Sequence, residues 1–444
     1  MNIPRELDYE AAADLPSVSL GAYTIENNIN PLGTNSYPIT TSGNVCTFDL
    51  PARGFMDPST LFIRYKMTFS SNGVTQQRGT PVYAPIQRCD IMVGSTVVES
   101  LLNYNQYMNM KVNTTYNNSQ KYSVASAFGY RNKNNMVASS SLDGRYNDPG
   151  PQSYSMAAPL DCALSNSKEF IPICFLSNLR ISLTFDSTQN IFCVAAGIAE
   201  NVSTSTLATD GTVLPADVVI SDVCLSYTTA HFPLEVEAKM KALYGDKLTL
   251  RTQSYMIGSA MVPKSTIGQI DLQYNQRLSS IRSVIVAISC NSTINGIFDA
   301  LDITQSNGEY SLAIAGRNLN KPYSTNLTGG KGAMLLELRK CISTLYSRDA
   351  NMSINNAEWN ASLTAPVNLC TTAIDSGKFY IGFKCNILSA NSVLLSGQSC
   401  QDAPLSLRIV CQTATAETAT VNLISVYDMI IVVDCNTKTC STKV

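Results

Sequence analysis

The sequence predicts an all-β chain built as two consecutive antiparallel domains with short helices inserted between strands. Three observations carry that prediction. Apolar residues alternate with polar ones over five to seven positions again and again, the period of a half-buried strand. Helical spacing is rare and short. The 444 residues are enough for about two to three domains at roughly 100 to 200 residues each.

In chain order, Cys46, Phe48 and Leu50 form one strand face. Leu61, Ile63, Tyr65, Met67 and Phe69 form the next, with Arg64, Lys66 and Thr68 opposite. Val98 to Met110 is a candidate helical segment. Leu179, Ile181, Leu183 and Phe185 return to alternation, followed by Val219, Val223, Leu225 and Tyr227. Leu335, Leu338, Ile342 and Leu345 then recur at i, i+3, i+7 and i+10, predicting a helix just after Gly329 and Gly330. The closing strands are Phe379, Ile381, Phe383 and Cys385, then Leu405, Leu407, Ile409 and Cys411, then Val421, Leu423, Tyr427, Met429, Ile431 and Val433.

Polar stretches rich in Asn, Ser, Gly and Pro separate these segments at Asn113–Ser119, Arg131–Ser155, Asn201–Pro215 and Asn318–Gly332. Loops of such length are expected to be contact surfaces rather than plain connectors. Each half ends in alternating strands that share a tripeptide, Leu179-Arg180-Ile181 and Leu407-Arg408-Ile409. The shared order hints at duplicated domains. The charged stretch His231–Gly245 marks the boundary, so the expected division is an N-terminal arm over 1–40, a first domain over 41–232, a linker over 233–246 and a second domain over 247–444 with its C-terminal tail. Strands of about six residues with long loops suit sandwiches or jelly rolls, and no period of about 40 to 50 residues suggests a propeller.

Charged residues make up 14% of the chain against a usual figure of about 25%. Ser, Thr, Asn and Gln replace them, giving a surface that is cheap to desolvate and suited to contact with neighbouring subunits. With 31 basic and 33 acidic residues the net charge is -2, which leaves no cationic excess for phosphate backbones. The N-terminal segment carries Arg5 against Glu6, Asp8, Glu10 and Asp14, so no basic genome-binding arm is expected. Neither a secretory signal nor a transmembrane segment is expected, since apolar runs such as Ile191–Ala199 and Met429–Val433 fall short of the roughly 18 residues a span requires. The 14 cysteines are scattered without a C-x-x-C pair and are expected to be buried thiols of a reducing compartment. The sequons at Asn113, Asn117, Asn201, Asn291, Asn326, Asn351 and Asn360 then reflect composition rather than glycosylation.

Chemistry is hard to place. His231 is the single histidine and is read as a surface or hinge residue, so a Ser-His-Asp or Cys-His site has little to work with. Cysteines tens of residues apart with one histidine offer no zinc cluster. Thr328-Gly329-Gly330-Lys331-Gly332 departs from a phosphate loop because Thr325 and Gly332 occupy the positions that require Gly and Ser or Thr. No pair among the acidic residues is singled out for glycoside chemistry. Trp359 and the 21 tyrosines could hold a carbohydrate-stacking platform, although core or interface roles are the expectation. No catalytic, cofactor-binding or metal residue is assigned, and no cofactor is expected.

Three segments in order, SGNVCTFDLPARGFMDPSTLFIRYKMTF, PLDCALSNSKEFIPICFLSNLRISLTFDS and VVISDVCLSY, resemble the first jelly roll of double jelly-roll major capsid proteins of polinton-like and adintovirus-type, virophage-related DNA viruses. KFYIGFKCNIL, LLSGQSCQDAPLSLRIV and TVNLISVYDMIIVV are similar to the closing strands of the same proteins, and VESLLNYNQYMNM looks like their early helix. The resemblance implies two consecutive eight-stranded antiparallel jelly rolls, and a homotrimer whose six barrels form a pseudo-hexameric capsomer of an icosahedral virion shell. The implied partners are other copies of the chain, neighbouring capsomers, a penton and minor capsid proteins, without specific reading of nucleic acid. The implied location is the virion capsid, after synthesis in the host cytoplasm and assembly in nucleus or cytoplasm. The alternative is a receptor- or carbohydrate-binding β-protein of a virion vertex.

Overall fold

The computed structural model describes residues 22–39, 43–69, 75–77, 79–116, 118–129, 144–146, 152–194, 218–233, 247–290, 296–314, 316–319, 321–326, 330–345, 354, 359, 377–386 and 397–444. The first barrel is built from β1 (Tyr23–Ile29), β2 (Val45–Leu50), β3 (Phe62–Phe69), β4 (Ile86–Val93), β5 (Thr96–Leu102), β6 (Gln152–Pro159), β7 (Leu179–Phe185) and β8 (Val218–His231). The second uses β9 (Lys247–Val262), β10 (Gly268–Tyr274), β11 (Ile281–Ser289), β12 (Gly308–Ile314), β13 (Arg317–Asn318), β14 (Ile381–Lys384), β15 (Leu405–Cys411) and β16 (Ala419–Asp434), and β17 (Thr439–Lys443) adds to the edge of β16.

The first barrel packs a sheet of order β1-β8-β3-β6 against one of order β2-β7-β4-β5. The second repeats this as β9-β16-β11-β14 against β10-β15-β12-β13. Adding eight to each label of the first order produces the second, so the chain is two copies of one topology. Among the strands named, every step between consecutive strands of a barrel crosses between its two sheets, except the β4–β5 and β12–β13 hairpins, while the short strands Ser36–Pro38 and Phe55–Met56 pair with β8 and Tyr323–Ser324 with β12. That is the jelly-roll path, and the chain has the double jelly-roll fold. The β4–β5 hairpin turns over two residues between Val93 and Thr96. Gly94 takes its first central position at φ 58°, a left-handed conformation that a side chain would disfavour.

The duplication reaches side-chain register. In the first barrel Leu179, Arg180 and Ile181 pair with Leu50, Asp49 and Phe48. In the second, Leu407, Arg408 and Ile409 pair with Leu272, Asp271 and Ile270. Arg180 Nε donates to Asp49 Oδ1 at 2.7 Å and Arg408 Nε to Asp271 Oδ1 at 2.8 Å. The repeated Leu-Arg-Ile step is therefore one position of the barrel used twice, with aliphatic residues inward and a cross-strand ion pair outward.

Most predicted faces point into the cores: Cys46, Phe48, Leu50, Ile63, Tyr65, Met67, Leu179, Ile181, Leu183, Leu405, Leu407, Ile409 and Cys411 are all buried. The β8 face differs. Val218 and Ile220 are buried in place of Val219, after which Val223, Leu225 and Tyr227 follow. A bulge between Ser221 and Cys224 opposite β3, with Asp222 at φ 51°, shifts the phase by one residue.

Three further expectations are corrected. Val98–Met110 is not one helix: β5 runs to Leu102, Asn103 turns the chain at φ 53°, and helix α1 spans Tyr104–Thr115. Part of the polar stretch Asn113–Ser119 is helical, in α1 and in Asn118–Ser123. Buried side-chain bonds compensate for the weak helix propensity of asparagine in α1, where Asn105 Nδ2 donates to Asp186 Oδ2 at 3.0 Å and Asn109 Nδ2 to the Phe298 carbonyl at 2.9 Å. Helix α2 (Gly330–Leu345) forms where expected, but its buried face is Met334, Leu338, Cys341 and Ile342. Helices α1 and α2 occupy equivalent connections, β5 to β6 and β13 to β14.

Strand β1 lies inside the segment expected to be a free arm over 1–40. It pairs along its whole length with β8, from Tyr23 opposite His231 to Ile29 opposite Leu225. Mostly exposed on both faces, it alternates only at Tyr23, Ile25 and Ile29, with Asn27 breaking the run. Residues 131–143, the stretch Asn201–Pro215 and the linker beyond Pro233 lie outside the described residues. Within the expected loop Arg131–Ser155, Gly144–Tyr146 is a strand and residues 152–155 belong to β6.

Candidate functional site

The two barrels meet along a seam built on α1 and β5 of the first and β9 and β16 of the second. Tyr107 of α1 stacks on Tyr255 of β9, ring centroids 3.5 Å apart at 14°. Asn422 Nδ2 of β16 donates to Gln106 Oε1 at 3.1 Å, and Thr252 Oγ1 of β9 donates to the Ala163 carbonyl at 2.5 Å. Further along, the Ser177 amide donates to the Lys438 carbonyl at 2.9 Å. The seam explains why β16 is buried on both faces between Val421 and Met429, where a strand with one wet face would alternate.

Polar groups inside this seam are buried and bonded. Glu99 of β5 accepts from the Ala163 amide at 2.7 Å and from the Ser254 hydroxyl of β9. Burial pushes its carboxyl up to about 7, opposed by those two donors and assisted by the negative Asp161 nearby. Lys111 of α1 pairs with Asp161, both side chains nearly buried. The Asp161 amide donates to the Tyr104 hydroxyl at 2.8 Å. Nothing in the sequence marked Glu99, because its partner Ser254 lies 155 positions away.

The residues considered for chemistry are scattered. His231 ends β8, its ring stacked on Tyr23 at 5.0 Å and its Nε2 3.1 Å from Thr229 Oγ1. Trp359 is fully buried, its indole donating to the Tyr380 carbonyl at 2.9 Å, and so offers no face to a sugar. Gly330 and Lys331 open α2, and Lys331 Nζ donates to Ser306 Oγ at 2.9 Å. Burial lowers that ammonium below the usual lysine range, partly offset by Asp302. Cys46, Cys89, Cys162, Cys385, Cys400, Cys411 and Cys440 are buried and outside any disulfide, and burial raises each thiol above its ordinary range. Among the described residues no group of three His, Cys, Asp or Glu is placed to hold a metal, and no helix is long and apolar enough to cross a membrane.

Exposed apolar side chains recur at one corner of each barrel. Leu32 and Val45 flank the β1–β2 connection of the first, and Met261 and Ile267 the β9–β10 connection of the second, at 69% and 65% exposure for the last two.

No protein-family model matches the chain, and no curated protein matches it. Solved structures do. The Faustovirus major capsid protein aligns with a TM-score of 0.61 at 10% identity, covering 95% of this chain and 92% of that one. The capsid of the virus PBCV-1 aligns at 0.59 and 8% identity, covering 96% and 98%. The mavirus major capsid protein aligns at 0.54 and 11% identity, covering 100% and 95%. At these identities the likeness is one of fold, and it runs through both barrels from end to end.

Proposed function

We propose that this chain is a major capsid protein, a structural subunit rather than an enzyme. The observation that carries the reading is the full-length match to capsid subunits in both directions, which leaves neither chain a large domain that the other lacks. A cyclic trimer of a chain with two like barrels sets six like barrels around one axis, a near-hexagonal tile made by three identical subunits. Such tiles pave the flat facets of an icosahedral shell, and a different protein closes the fivefold vertices.

Composition supports this use. A surface poor in charge is cheap to desolvate where subunits meet, and obligate interfaces commonly bury about 2,000 to 5,000 Å². The corner residues Leu32, Val45, Met261 and Ile267 are proposed contacts between barrels of neighbouring chains. Minor capsid proteins are proposed partners on one face of the tile, and the segment before β1 is a proposed tether to them. Residues 233–246 are proposed as the linker between barrels.

Electron microscopy of the purified full-length chain tests the reading. Threefold particles with a pseudo-hexagonal outline are expected, whereas isolated two-lobed monomers at high concentration would overturn it.

A further inference from the structure

We propose that Glu99 is a proton-operated latch between the two barrels, closed while its carboxyl is protonated and loosened when it ionises. This inference does not rest on the capsid reading. It rests on where Glu99 sits and what surrounds it.

The carboxyl stands on β5 of the first barrel and bonds two other elements at once, the Ala163 amide after β6 and the Ser254 hydroxyl on β9 of the second barrel. Both donors are neutral. The titratable groups around it are Asp161 and Cys162 after β6, Cys89 on β4, Tyr255 on β9 and Tyr427 on β16. From α1, Lys111 is held by Asp161, and Tyr104 accepts the Asp161 amide. Among the described residues of this cluster the one cation, Lys111, is therefore engaged by the other carboxylate. Tyr255 brings a buried hydroxyl that has no hydrogen-bond partner among the described residues. A protonated Glu99 can donate to Ser254 Oγ and accept from Ala163 as an uncharged group. An ionised one is a buried negative charge beside Asp161, and parting the barrels to admit water relieves it.

The direction in pH follows. In the opened seam Glu99 is solvated and titrates near its ordinary 4.5, while in the closed seam it titrates at about 7. Between those values the closed form binds the proton and the open form does not, so closure weakens as pH rises and opening grows about tenfold per pH unit. Below 4.5 both forms are protonated and above 7 both are ionised, so opening is level on either side.

Hydrogen exchange of the full-length chain from pH 4 to pH 8.5, read at a peptide containing Ser177, tests the latch. The Ser177 amide bonds across the seam to Lys438, well apart from Glu99 in sequence. Glu99→Gln keeps both hydrogen bonds without the titration, and the wild-type to variant ratio at each pH cancels the intrinsic exchange rate. The expected ratio climbs between pH 4.5 and 7 and is flat outside that window; a ratio that stays constant throughout overturns the proposal. Should Glu99→Gln fail to fold, Ser254→Ala decides, because losing a donor to the ionised carboxyl should carry the upper edge of the climb above that of wild type. An unchanged upper edge overturns the latch.

Discussion

Lys111 and Asp161 show what a buried charge demands of its neighbours. Desolvation makes such a pair a poor source of net stability, but removing one partner strands the other. Lys111→Met should therefore destabilise the chain by about 3–5 kcal/mol, while adding Asp161→Leu should recover most of that loss. Chemical denaturation of the single and double variants measures both. At this scale the sequence was legible wherever burial follows a local period, as at Cys46, Phe48 and Leu50. It was silent on Glu99, Lys111 and Asp161, because their environment is assembled from residues distant in the chain. For Trp359 the sequence left a core role and a stacking platform both open, since the two use the same side chain, and its burial decides for the core.

Element positions were read well where one strand face meets one core, and poorly where a bulge or a tertiary bond intervenes. Asp222 shifts the phase of β8, and Asn105 and Asn109 hold α1 helical through bonds to Asp186 and Phe298. Helix α2 shows both outcomes. Its existence followed from Leu335, Leu338 and Ile342, but its buried face also needs Met334 and Cys341, set by a close approach to β14. At Gly382 of β14 an added Cβ would lie 2.6 Å from Leu338 Cα, so Gly382→Ala should push α2 off the sheet and cost about 1–3 kcal/mol. Gly332 of α2 has open space around it, so Gly332→Ala should instead stabilise the helix by up to about 1 kcal/mol. Opposite shifts in thermal midpoint check the pair.

For the whole molecule, the all-β class and the duplication were readable while strands such as β4 and β9 to β12 were not, and the Leu-Arg-Ile step proved to be one barrel position used twice. What the sequence could not reveal is how the copies join, because the seam buries residues that a lone barrel would leave wet, such as Asn422 and Tyr255. The capsid account makes the equivalent corners of the two barrels contact surfaces between chains. Met261→Glu with Ile267→Glu should leave the chain folded, as read by circular dichroism, while abolishing higher assembly, read by sedimentation. The central claim is that this chain exists to associate in threes, and light scattering of the purified full-length protein addresses it directly. The account predicts a native mass about three times the 48.1 kDa chain, persisting on dilution; a stable monomer across the accessible concentration range would contradict it.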